Sequence, residues 1–187
     1  MLKITRLFTL FLLAIGFATT GMAATPGECQ QTVEQFRGLG DTQGFLSEAY
    51  GYAVFPTIGE GGIGIGGAYG EGCVYRAGVH KGSVKMGQVT IGLQLGGQAF
   101  SQLIVFRDKD AYDSFTSGSF EFGADATAVA LTYGAQAGAG TTGSAASAGS
   151  ETGVARWYRG MAVFTLAKGG LMYQAAIGGQ KFSYTAN

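Results

Sequence analysis

The chain has 187 residues, of which 34 are glycine and 47% are hydrophobic, and its 12 acidic side chains equal its 12 basic ones. Collagen would need a strict three-residue glycine period, and intrinsic disorder far fewer apolar residues, so the glycine excess belongs to a folded domain whose backbones approach closely. A neutral balance offers no global field to recruit nucleic acid.

Lys3 and Arg6 precede an apolar run from Leu7 to Ala18, followed by small residues that suit cleavage near Ala23. This is the pattern of a secretory signal peptide over residues 1–23. The run is short for a membrane span, which predicts an exported, periplasmic chain that is at most peripheral on the membrane. In that compartment Cys29 and Cys73 read either as one disulfide or as two buried thiols. Residues 24–44 form a helical lead-in. Val33 and Phe36 share a face, Gly38 and Gly40 interrupt, and Phe45, Leu46 and Ala49 resume the pattern, so two short helices are expected.

After Tyr50 the hydrophobic period changes to 2. The stretch GEGGIGIGGAYGEG, Gly59 to Gly72, holds eight glycines in fourteen residues and a formal G-x-G-x-x-G at Gly62, Gly64 and Gly67. A dinucleotide loop needs those glycines to open a helix facing the pyrophosphate. Here the strand formers Ala68, Tyr69, Val74 and Tyr75 follow, so no nucleotide is expected. The better reading is a strand with Gly62, Gly64 and Gly66 on one side and Ile63 and Ile65 on the other, its bare face lying close to another element.

Arg76, His80, Lys81 and Lys85 gather basic groups among glycines that would admit phosphate, as a headgroup site or as a solvated loop, with His80 exposed in that loop. Gln88–Gly96 sets Val89, Ile91, Leu93 and Leu95 against Gln88, Thr90, Gly92 and Gln94, a half-buried strand. Ser101–Arg107 is a more continuous apolar strand. Asp108 then caps a short helix through Ala111, Tyr112 and Phe115, and the acids Asp108, Asp110 and Asp113 read as helix capping in preference to calcium.

The next strand, Phe122–Tyr133, carries Ala124, Ala126, Ala128 and Ala130 on one face, a candidate neighbour for the glycine face, with Asp125 on the other. Gly134–Gly153 is a small-residue surface loop. Strands are expected at Trp157–Ala167, Leu171–Ile177 and Gln180–Tyr184. Arg156, Trp157 and Arg159 combine guanidinium groups with the sole tryptophan, residue types that favour a membrane interface.

No constellation of titratable residues supports catalysis. His80 is the single histidine, and Cys29, Cys73 and His80 have no metal-ligand spacing. Neither enzyme, metal nor cofactor is expected. The fold expected is α+β: a β-rich, antiparallel, twisted sheet closed as a barrel or sandwich, with short N-terminal helices and one inserted helix near 108–117.

AYGYAVFP (Ala49–Pro56), the glycine stretch to Gly72, IGLQLGGQAFSQLIVF (Ile91–Phe106) and FGADATAVA (Phe122–Ala130) occur in the order and spacing of the SYLF domain, which residues 45–187 therefore resemble. The chain departs from that family's pattern at Lys81–Val89 and at Arg156–Phe164. The resemblance implies a non-enzymatic module that binds a phospholipid or membrane surface. Eukaryotic relatives bind phosphoinositides and associate with actin, but an exported chain would carry over only phospholipid binding. The alternatives are an envelope protein-interaction or structural domain and a small outer-membrane β-barrel.

Overall fold

The computed structural model describes residues 23–123, 126, 130–134, 155–169 and 178–187, with backbone alone at 63–64, 90–96 and 169. The signal-peptide stretch to residue 22, Ala124, Asp125, Ala128, residues 135–153 of the small-residue loop and the expected strand Leu171–Ile177 lie outside the described residues.

Two helices open the fold, α1 (Pro26–Arg37) and α2 (Thr42–Ser47). Thr25 caps α1 by a reciprocal capping box with Glu28, satisfying donors that the first helical turn leaves orphaned. Gly38 caps its C-terminus. Two very long strands follow, β1 (Gly51–Arg76) and β2 (Val79–Phe106), joined by a turn at Ala77 and Gly78 with φ of 49° and 75°. Positive φ at both central positions is the turn geometry whose twist matches a hairpin.

A 26-residue strand would run roughly 85 Å if straight, about twice the ~40 Å breadth of a globule this long. The hairpin instead doubles back. Its register shifts between Phe55 and Ile58, where Pro56 has no N–H to give, and again between Ile63 and Ile65. A Cβ at Gly62 would lie 2.3 Å from the Cα of Gly66, so the chain reverses there in less space than any side chain allows. Beyond the bend the outer half of β1 returns along the inner half: a Cβ at Gly72 would sit 2.3 Å from the carbonyl oxygen of Val54, and one at Gly70 2.6 Å from Cγ1 of Ile58. The element lying close to the glycine-rich strand is therefore β1 itself. At Gly62 the nearest atoms belong to Ile65 and Gly66.

The remaining elements are α3 (Lys109–Phe115), β3 (Ser119–Glu121), β4 (Leu131–Tyr133), β5 (Met161–Gly169) and β6 (Lys181–Ala186). The strand order is β3-β6-β2-β5-β4, with β1 on β2. All pairings are antiparallel except β4 with β5. No pairing among the described residues closes this sheet, which is β-rich, twisted and mainly antiparallel as expected. Asp108 caps α3 as expected, its Oδ1 accepting from the Ala111 amide at 2.8 Å. Of Phe122–Tyr133, the described residues form a strand only at Leu131–Tyr133. Ala126 and Ala130 are core residues outside strands.

Two hydrophobic clusters hold the sheet. Phe55, Ile104 and Phe106 join Tyr112 and Phe115 of α3 and Phe182 of β6 in one. Val54, Leu103, Val105 and Phe164 meet Val33 and Phe36 of α1 in the other. The strand at Leu103–Phe106 lacks alternation because both of its faces are buried. Cys29 of α1 and Cys73 of β1 form a disulfide, resolving the alternative left by the sequence. Closing a loop of this length stabilises by about 4 kcal/mol in the chain-entropy account.

Candidate functional site

The expected basic residues separate into different settings. Arg76 ends β1 with its guanidinium 5.9 Å from the centre of the Tyr112 ring on α3. His80 is not in a loop: it lies in β2, half-buried, its ring 5.3 Å from that of Tyr75 and its Nδ1 3.1 Å from Nδ2 of Asn187. The hairpin turn is only two residues long, so the ladder begins before His80. Lys81 occupies the register shift that follows, and its carbonyl accepts from the Tyr184 hydroxyl and the Asn187 amide. Gly82 is packed against Thr185 and the Tyr184 ring, which closes the approach of a phosphate to that glycine.

Trp157 is half-buried against Phe45 of α2, ring centres 4.9 Å apart, with Arg107 over it. It fastens α2 to the sheet. Arg156 is exposed. Arg159 stacks on Tyr158 at 5.3 Å in a turn whose Gly160 touches Ala111 and Asp108. Thus α3 brings Arg76 and the Arg159 turn to one end of the molecule, and Lys85 stands apart from both.

Lys85 lies on the outer half of the hairpin, where the largest surprise is found. Val89, placed by alternation on the apolar face, is 77% exposed, whereas Gln88 is buried and donates from Nε2 to the Gly178 carbonyl at 2.9 Å. The inward side is the one facing β1's own inner half and β6, and there a glutamine with a carbonyl partner is satisfied. On the outward side stand Ile65, 70% exposed, and Tyr69, 49% exposed. They share a face with Gly67, which pairs with Val89.

The next rows across the sheet are equally regular. Tyr69 is opposite Gly87, Gly87 opposite Lys181 and Lys181 opposite Glu121; Glu71 is opposite Lys85. A Cβ at Gly87 would meet nothing within 4 Å. This bare position floors a groove of about 690 Å³ with Tyr69, Lys85, Val89, Glu121 and Lys181 around it. Lys85 Nζ is 3.6 Å from Glu71, and Lys181 Nζ is 3.6 Å from Glu121. The Tyr69 hydroxyl donates to Glu71, and that bond to a carboxylate raises the phenol's pKa. Apolar atoms, ammonium groups and carboxylates converge here, a combination suited to binding an amphiphile.

A family model described as Ysc84: Las17-binding protein actin regulator matches residues 87–185. The chain belongs to the Ysc84 (SYLF) family. No curated protein matches it. In this SYLF chain the matched stretch runs from Gly87 in β2 into β6, so it contains the groove's floor, Val89, Glu121 and Lys181, while Ile65, Tyr69 and the disulfide lie on or reach into the preceding segment. Sequence reasoning named Lys85 of this SYLF groove and missed Ile65, Tyr69, Val89, Glu121 and Lys181. Glycine-flanked Ile65 was the available signal, because a large aliphatic between glycines has no adjacent side chains to cover it.

Proposed function

We propose that this SYLF chain is a non-enzymatic module that docks reversibly on a phospholipid membrane surface, exported and working in the periplasm. The observation that carries this reading is the sheet face at the hairpin bend, uncovered among the described residues, where Ile65, Tyr69 and Val89 are exposed together beside Lys85 and Lys181. An exposed set of large apolar side chains rimmed by amphipathic lysines suits a headgroup boundary, where the lysine stems cover apolar surface and the ammonium groups remain wet. Fully burying Ile65 and Val89 would contribute about 1.5–3 kcal/mol each. That magnitude supports reversible peripheral attachment in preference to anchoring. Export is supported by the Lys3, Arg6 and Leu7–Ala18 pattern and by the disulfide, which persists in oxidising compartments.

The family description names a protein partner and actin regulation for other members. It favours a second reading, in which the same face binds an envelope protein. Co-sedimentation of the chain lacking residues 1–23 with phosphatidylcholine and phosphatidylglycerol vesicles separates the two. Vesicle binding is expected, and a chain that stays in the supernatant with both compositions overturns the membrane reading.

A further inference from the structure

The groove over Gly87 has a charge pattern that selects among lipids. Its lining presents two ammonium groups, Lys85 and Lys181, and the Glu121 carboxylate 3.6 Å from Lys181, while the Glu71 carboxylate stands behind the lining, 3.6 Å from Lys85. These four charges sum to zero. They are also unequally available: the Glu71 side chain is 13% exposed and holds the Tyr69 hydroxyl, whereas the Lys85, Lys181 and Glu121 side chains are at least half exposed. The half-exposed Tyr69 ring faces the same space across the bare glycine.

We propose that this groove is a headgroup site for zwitterionic phospholipid, an inference that rests on the membrane reading above. The phosphate would take the Lys85 and Lys181 ammonium groups. The lipid's own ammonium would take the Glu121 carboxylate and the Tyr69 ring, an aromatic face that attracts cations. Ile65 and Val89, next along the face toward the bend, would enter the acyl boundary. A headgroup carrying only negative charge would offer Glu121 no cation beyond its pairing with Lys181, so net anionic lipid gains less from this site. Since local charge cancels, long-range attraction contributes little and added salt has little to screen.

The test is co-sedimentation of the chain lacking residues 1–23 with phosphatidylcholine or phosphatidylglycerol vesicles across a salt series, using four proteins. The unsubstituted chain binds phosphatidylcholine at least as well as phosphatidylglycerol, with a flat salt response. Gly87→Leu fills the groove where a Cβ meets nothing, so it keeps the wild-type melting curve and loses most phosphatidylcholine binding. Ile65→Ser/Val89→Ser lowers binding to both vesicles on the order of a hundred-fold, also without a change in melting. Glu121→Lys makes the groove basic and converts the response to a phosphatidylglycerol preference that fades with salt. Binding of the unsubstituted chain to phosphatidylglycerol alone, weakening with salt, overturns the zwitterionic assignment and leaves the membrane reading standing. Full phosphatidylcholine binding by Gly87→Leu overturns the groove as its site. No binding to either vesicle by the unsubstituted chain removes both readings.

Discussion

The inner and outer halves of the β1–β2 hairpin are built from similar residues and have opposite fates. In the inner half, Val54, Leu103 and Val105 lie beneath α1, and Phe55, Ile104 and Phe106 face the other cluster, so both sides are buried. In the outer half, Val84 and Met86 face the core while Val89, Tyr69 and Ile65 have no cover among the described residues. On the face turned away from the shared core, an apolar residue therefore means packing in one half and an available surface in the other. What separates them is the placement of α1, which is stapled to β1 at Cys73 and covers the outer half no farther toward the bend than that neighbourhood.

The staple gives the largest expected effect on this contrast. Replacing Cys29 and Cys73 together by Ala lowers stability by about 4 kcal/mol, read from denaturant unfolding. Retention of full stability would show that α1 is held by its apolar face alone. Next come the glycines of the two surfaces. Gly72→Ala drives a methyl into the Val54 carbonyl and costs about 3 kcal/mol, whereas Gly87→Ala enters open space and changes the unfolding midpoint by less than about 0.5 kcal/mol equivalent. Equal costs at both positions would break the distinction between the crossing face and the open one.

Asp108→Ala removes the α3 cap and costs about 1 kcal/mol, since α3 supplies Tyr112 and Phe115 to the core behind the inner half. A further effect is confined to alkali. Burial, then the neighbouring Tyr184, pushes the Tyr112 phenol up to about 12 from its ordinary value of 10.0. The folded state thus holds that proton more tightly than the unfolded chain. Its stabilisation is complete below pH 10 and is lost as pH rises from 10 toward 12. Tyr112→Phe should flatten that part of a stability-against-pH curve, and an unchanged slope would remove Tyr112 as its source.

Much of the fold was legible locally. The helical lead-in, the capped helix after Asp108 and the rejection of a nucleotide loop at Gly62–Gly67 all follow from interactions within a few residues, which the sequence lists side by side. The candidate site was less legible. Lys85 stood out by charge, but Val89 was read on an apolar strand face, because a period of 2 distinguishes two faces without saying which one meets the core. Glu121 and Lys181 gave no signal, since they join Tyr69 only through pairings between strands far apart in the chain.

The sequence by itself determined the β-rich class, the SYLF membership, the places where side chains are absent and the supply of two cysteines. Tertiary structure alone decided that one hairpin would reverse on its own glycines, that Gln88 would turn inward and Val89 outward, and that Gly87 would floor a groove between an aromatic ring and paired charges. The physical reason is that local preferences act through neighbouring residues, whereas the inside of a sheet is defined by whatever packs against it. For this chain that partner is largely its own first strand, returning from the bend.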